Sequence, residues 1–208
     1  IPHTERFHSD CLANYHELDV FSEEHWNIIE NFIRTAVKRK CNMILTPIFT
    51  PPLDTAVGGE RRTVQLVDVT VTPEGYQFGY EKFERWVEIC KRCGVKFFEI
   101  SHLFSQWGAV AAPKIVGMVD GKEQKIFGWK TKAAGEAYAA FMNQFLSSFT
   151  AKLKNMGIDK QCYFHISDEP SFEQLESYRA AKNLVIEHLK DFHIIDALSD
   201  FSFYKEGV

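Results

Sequence analysis

Short apolar runs alternate with amphipathic stretches along the whole chain, and this alternation limits its folding more than any other feature. The apolar runs are Glu5–Asp10 around Phe7, Asn42–Thr46 with Met-Ile-Leu at its centre, Val95–Ser101, Tyr163–Ile166 and Phe192–Ala197. Between the first two, Trp26, Ile29, Phe32, Ile33, Ala36 and Val37 recur at the helical period after a start signal at Ser22-Glu23-Glu24. Tyr80, Phe83, Trp86, Val87 and Cys90 carry a second helix stopped by Gly94; Ala133–Met156 is a third, ended by Gly157, and Ser171–Leu189 a fourth. Strands separated by helices run parallel, because each crossover returns the chain to the same end of the sheet, and such crossovers are right-handed.

An α/β fold follows, with the (β/α)8 or TIM barrel as its candidate architecture. A closed barrel needs eight βα units and typically about 250 residues. These 208 residues hold four such units and a fifth strand. The expectation is one domain over residues 1–208, either an open sheet or part of such a barrel. Two excursions are too long for ordinary βα loops, which marks them for function. Ile48–Gly79 contains the alternating run Thr63–Thr72, turned by Pro73-Glu74-Gly75 onto Tyr76–Phe78. His102–Lys132 contains the patches Ile115–Val119 and Lys125–Trp129 around Asp120-Gly121, a second hairpin signal.

Composition excludes several classes of function. Aromatic residues make up 14% of the chain, including 18 Phe, which supports a large packed core and argues against disorder. The formal net charge is -4 and there is no basic stripe, so nucleic acid is not an expected partner. The basic run Lys38-Arg39-Lys40 falls where a helix ends and complements its dipole. No apolar run approaches the roughly 20 residues that span a bilayer. The five Cys, an odd number, lie mostly inside apolar patterns, and Cys90 and Cys93 form a C-x-x-C with no second pair. Neither metal nor cofactor is expected, and a reduced, cytoplasmic protein is. The Ile1-Pro2 opening also fits a chain whose signal peptide has been removed. Oligomeric state leaves no signature.

The run Tyr163-Phe164-His165-Ile166-Ser167 stops on Asp168-Glu169-Pro170. The two acids therefore sit at the carboxyl end of a strand, the end where the loops of parallel α/β folds form a binding mouth. Neighbouring carboxylates raise one another's pKa, which suits a pair in which one acid donates a proton near neutral pH and the other stays ionised. A helix cap is the competing reading. Ser171 with Gln174 already forms a capping box, and one cap needs only one acceptor, which favours a functional pair.

Four separated motifs carry a resemblance. Phe164–Pro170, His102-Leu103-Phe104-Ser105-Gln106-Trp107-Gly108-Ala109, Phe127-Gly128-Trp129 and Leu45–Asp54 occur in the order found in glycoside hydrolase family 123, which overlaps the proteins called domain of unknown function 4091. The resemblance runs along nearly the whole chain. It implies a (β/α)8 catalytic domain that removes β-linked N-acetylgalactosamine from glycans by substrate-assisted retention. Glu169 would be the general acid/base, and Asp168 would orient and stabilise the 2-acetamido group as it attacks the anomeric carbon. Family members continue to a complete barrel, whereas this chain stops near the fifth strand.

The residues support the same chemistry. Substrate-assisted enzymes draw the nucleophile from the sugar, so a second enzymic carboxylate is needed only to balance the oxazolinium cation. Pyranose faces are apolar, and Trp107 and Trp129 are candidates to floor the sugar, with buried loop anchors as the alternative. His102 and Gln106 are candidates to bond sugar hydroxyls; His8 and Asp10 are weaker ones. His165 reads as a satisfied interior histidine. Two rival functions remain. A metal-dependent hydrolase would use His8, His102, His165 and Asp168, but H-x-H and H-E-x-x-H spacings are missing. A non-catalytic glycan-binding module or incomplete domain fits the short length.

Overall fold

In the computed structural model, which describes residues 1–198 and 200–207, the apolar runs pair into one parallel sheet. The chain opens with β1 (Thr4–Glu5), α1 (Ser9–Tyr15), α2 (Glu23–Lys38) and β2 (Met43–Thr46). A hairpin of β3 (Asp68–Thr72) and β4 (Gly75–Gly79) precedes α3 (Glu81–Cys93) and β5 (Phe97–Ile100). A second, β6 (Ile115–Val119) and β7 (Lys122–Phe127), precedes α4 (Glu136–Asn155) and β8 (Cys162–Phe164). The chain continues through α5 (Leu175–Leu189), β9 (His193–Ile194) and α6 (Ser202–Lys205). The sheet order β1-β2-β5-β8-β9 follows chain order without reversal, and every pairing in it is parallel.

The helices follow one another around the sheet as the strands do. Trp26 of α2 meets Trp86 of α3, Phe83 of α3 meets Phe149 of α4, and His188 of α5 bonds Asn143 of α4. Period-two alternation divides the strands between two faces. Ile44, Phe98, Ile100, Cys162 and Phe164 are wholly buried, with Phe164 against Phe149 of α4. The paired positions Leu45, Glu99 and Tyr163 share the opposite face. That face carries an aromatic row, Phe97 on Tyr163 on His193, and beyond it a charged layer.

The two excursions build one layer rather than two separate loops. Their hairpins join in a four-stranded sheet, β4-β3-β6-β7, through a parallel contact at Thr70 and Met118. The Gln65 side chain bonds Val116 in both directions and fastens them together. Tyr76 and Phe78 pack on Phe141 and Phe145 of α4, so the stripe that reads as one helical face serves this second sheet as well as the core.

Several boundaries differ from the sequence reading. The expected first strand, Glu5–Asp10, is only Thr4–Glu5, and Ser9 and Asp10, expected in that strand, begin α1 instead. Asp10 lies in that helix's first turn, where a carboxylate meets the positive end of the dipole, and Arg61 grips it through two bonds of 3.1 Å. Of Thr63–Thr72, only Asp68–Thr72 is strand; Leu66 and Val67 instead donate to the carbonyls of Pro47 and Ile48. The second hairpin returns at Lys122–Phe127, short of Trp129, and the fifth strand of the main sheet is His193–Ile194.

Candidate active site

The chain leaves β8 through His165, Ile166 and Ser167, all buried, and reaches the acid pair at the sheet's carboxyl end. Ser171 and Gln174 close a capping box on the short 3-10 turn Phe172–Gln174 that leads into α5, so neither acid is its cap. Glu169 holds a left-handed backbone with φ 43°. That conformation costs a non-glycine residue about 1 kcal/mol and is retained where the surroundings enforce it. The kink separates the neighbours. Glu169 is exposed, whereas the Asp168 side chain is 17% exposed and has its Oδ1 3.7 Å from Arg6 Nη1 and 4.0 Å from His102 Nε2. Burial pushes the Asp168 carboxyl above its ordinary value, Arg6 opposes that push, and the Glu169 charge adds to it.

Beneath Asp168 lies a buried charged network. Glu99, wholly buried on β5, accepts from Arg6 Nε at 2.7 Å, from His165 Nε2 at 2.8 Å and from the Thr4 hydroxyl. His165 Nδ1 faces Asp196 Oδ1 at 3.3 Å. Asp196 also accepts from the Ile166 backbone and, at 2.5 Å, from Tyr178. An ionised carboxylate only accepts, so a histidine between two of them must donate from both nitrogens and is an imidazolium. Burial works against that charge, but Asp196 and Glu99 outweigh it and hold His165 above its ordinary value. For Glu99 burial pushes upward, and His165, Thr4 and Arg6 together bring it below the ordinary range.

His102 stacks on His165 with ring centroids 4.1 Å apart. It is wholly buried, and among the described residues neither ring nitrogen has a hydrogen-bond partner. Burial, with the charges of His165 and Arg6, drives its pKa well down. His102 is therefore neutral, with one donor and one acceptor unspent beside Asp168.

The loop after β5 is tied to the acid segment by its backbone. Trp107 N–H donates to the Asp168 carbonyl at 2.8 Å, and the Ser167 hydroxyl accepts from the N–H groups of Gly108 and Ala109 while donating to the Ser105 carbonyl. Trp107, Gly108 and Ala109 all have positive φ, and a Cβ on Gly108 would come within 2.6 Å of the Gln174 side chain. Glycine is thus required there. The Trp107 side chain stands partly in solvent, the residue being 41% exposed. Gln106 is buried and donates to the Thr55 carbonyl at 2.6 Å, joining the loops after β2 and β5. Trp129 donates to the Gly59 carbonyl and lines a cavity with Thr50, Glu60, Arg61, Ser105 and Lys114. Asp168, Glu169, His102 and Trp107 are therefore brought together. Gln106 and Trp129 belong to the loop layer beside them.

His8, one of the rival metal ligands, bonds Asp54 at 2.9 Å. Among the described residues, no group of three or more His, Cys, Asp or Glu side chains is arranged to hold a metal ion, and no helix is long and apolar enough to cross a membrane. Sequence reasoning passes over Arg6 and Asp196 and does not single out Glu99, a charge inside the apolar run Val95–Ser101. That charge was itself a signal, since a carboxylate in an apolar run needs partners.

The sequence matches the family described as "Glycoside hydrolase 123, catalytic domain" over residues 7–208. Among solved structures, a family 123 glycoside hydrolase from Clostridium perfringens, studied for glycolipid glycan hydrolysis, resembles the chain with a TM-score of 0.71 at 17% sequence identity. The similarity covers 97% of this chain and 36% of that one, so the chain spans about a third of that protein's length. At this identity the likeness concerns the fold. Comparison with curated proteins finds no match.

Proposed function

The chain belongs to the family of the glycoside hydrolase 123 catalytic domain, and from that membership we propose that it hydrolyses β-linked N-acetylhexosamine, above all N-acetylgalactosamine, from a glycan or glycoconjugate by substrate-assisted retention. One observation carries the chemistry: neighbouring acids at a strand end divide, Asp168 inward against Arg6 and Glu169 outward into solvent. A sugar over this pair places its glycosidic oxygen toward Glu169 and its 2-acetamido group toward Asp168. Glu169 protonates the leaving oxygen while the acetamido carbonyl oxygen attacks the anomeric carbon. The Asp168 carboxylate accepts the amide N–H and balances the developing oxazolinium charge. Glu169, now ionised, takes a proton from the water that opens the ring, and two inversions give retention.

The same reading takes the parallel sheet as an arc of a (β/α)8 barrel. Strand order without reversal supports it, as does a sheet face that presents layers of side chains opposite the helices. The glycolipid glycans named for the Clostridium perfringens protein are a candidate natural substrate. Trp107, whose backbone N–H bonds the Asp168 carbonyl, is the better supported of the two candidate tryptophans as the sugar's floor.

A panel of 4-nitrophenyl β-glycosides with and without the 2-acetamido group tests the proposal. Turnover confined to the acetamido sugars is expected. Equal turnover of plain galactosides removes the substrate-assisted mechanism, and sugar binding without turnover leaves a glycan-binding module.

A further inference from the structure

We infer that Arg6 is the positioning residue for Asp168: anchored by Glu99, its guanidinium holds the neighbouring carboxylate charged and turned toward the inner face of the sheet. The inference rests on the hydrolase reading for its purpose, though not for its geometry. Arg6 leaves β1, the first strand of the sheet, yet its side chain crosses to Glu99 on β5 and to Asp168 beyond β8. A guanidinium is planar, so fixing Nε on Glu99 at 2.7 Å also fixes where its other nitrogens point. Nη1 then lies 3.7 Å from Asp168 Oδ1.

Among the described residues, no other group around Asp168 can do this. The ionisable side chains facing it are Arg6 after β1, His102 after β5, His165 after β8, Glu169 beside it and Asp196 after β9. Glu169 and Asp196 are acids and favour protonation. The His165 charge is already divided between Glu99 and Asp196. His102 is wholly buried face to face with that imidazolium and cannot take a second charge. Among the described residues, Arg6 is left as the cation with a free edge toward Asp168, its side chain 34% exposed.

The test is a carboxyl-carbon NMR titration of Asp168 in the intact protein, with Arg6→Gln, Arg6→Met and Arg6→Lys beside the unmodified chain. It needs no substrate, so failure of the hydrolase reading is seen separately, as absence of turnover. The Asp168 midpoint is expected to rise by about one pH unit, tenfold in proton affinity, in whichever charge-free variant folds. Arg6→Lys should return it most of the way. If the unmodified protein is active, the acid limb of kcat/KM moves with the midpoint. An unchanged midpoint in a folded charge-free variant overturns the inference. So does a midpoint in Arg6→Lys raised as far as in the charge-free variant or, where neither charge-free variant folds, raised by about one pH unit over the unmodified protein, since the charge would then be present and without effect.

Discussion

His165 and Glu99 meet at 2.8 Å with 1% and 0% of their side chains exposed. A pair removed from water in this way is strongly destabilising when one member is lost, because the survivor keeps its desolvation cost without its partner. His165→Gln should therefore lower unfolding stability by about 3 kcal/mol, measured by urea denaturation. A loss below about 1 kcal/mol would show that the pair is open to water as exposed pairs are.

The two stacked histidines have opposite pH signatures. His102 is held below its ordinary value of 6.5, so at acid pH the unfolded chain binds a proton that the folded one refuses, and stability falls as pH drops below that value. His165 is held above its ordinary value. Its contribution is complete below 6.5 and is lost as pH rises through the higher folded value. His102→Phe should flatten the acid side of the stability profile and leave the alkaline side in place, read from denaturation midpoints across pH. Loss of both slopes together would contradict this division.

The left-handed backbone at Glu169, with φ 43°, separates two truncations that remove the same carboxylate. Glycine accepts this conformation and alanine does not, so Glu169→Gly should be more stable than Glu169→Ala by about 1 kcal/mol. Elsewhere the order is the reverse. Thermal melts of the two variants decide it, with equal or reversed stabilities counting against strain at this position.

Ser167 holds three backbone groups at once: it accepts from Gly108 and Ala109 and donates to Ser105. Ser167→Ala leaves two N–H groups without their acceptor and should cost about 1–3 kcal/mol. Because Trp107 hangs from the same loop, the variant should also raise KM for a sugar more than it lowers kcat. A change in kcat alone would separate this loop from substrate binding.

The parts of the fold that were legible share a cause. The strand cores 43–46, 97–100 and 162–164 are apolar and short, and Gly94 and Gly157 end their helices with positive φ, so period and punctuation suffice. The acid pair was legible because a capping box accounted for the helix start and left Asp168 and Glu169 unexplained. β1 was misjudged in length because alternation around Phe7 mimics a strand, while Ser9 and Asp10 carry helix-start chemistry. Arg6 and Asp196 were missed because their partners lie 93 and 31 residues away in sequence, at Glu99 and His165. A polar residue at a strand tip has no periodicity, and its meaning comes only from what the sheet brings beside it. The joining of the two excursions into one sheet was hidden for the same reason.

The assignment of separate duties to the two acids is tested most directly by kcat/KM of Asp168→Asn and Glu169→Ala on an acetamido β-glycoside with a good leaving group and on one with a poor leaving group. Glu169→Ala is expected to retain activity on the good leaving group and lose it on the poor one, since only the latter needs a proton donor. Asp168→Asn is expected to lose most activity on both. Equal losses in the two variants, independent of the leaving group, would contradict the division between an outward acid and an inward stabiliser.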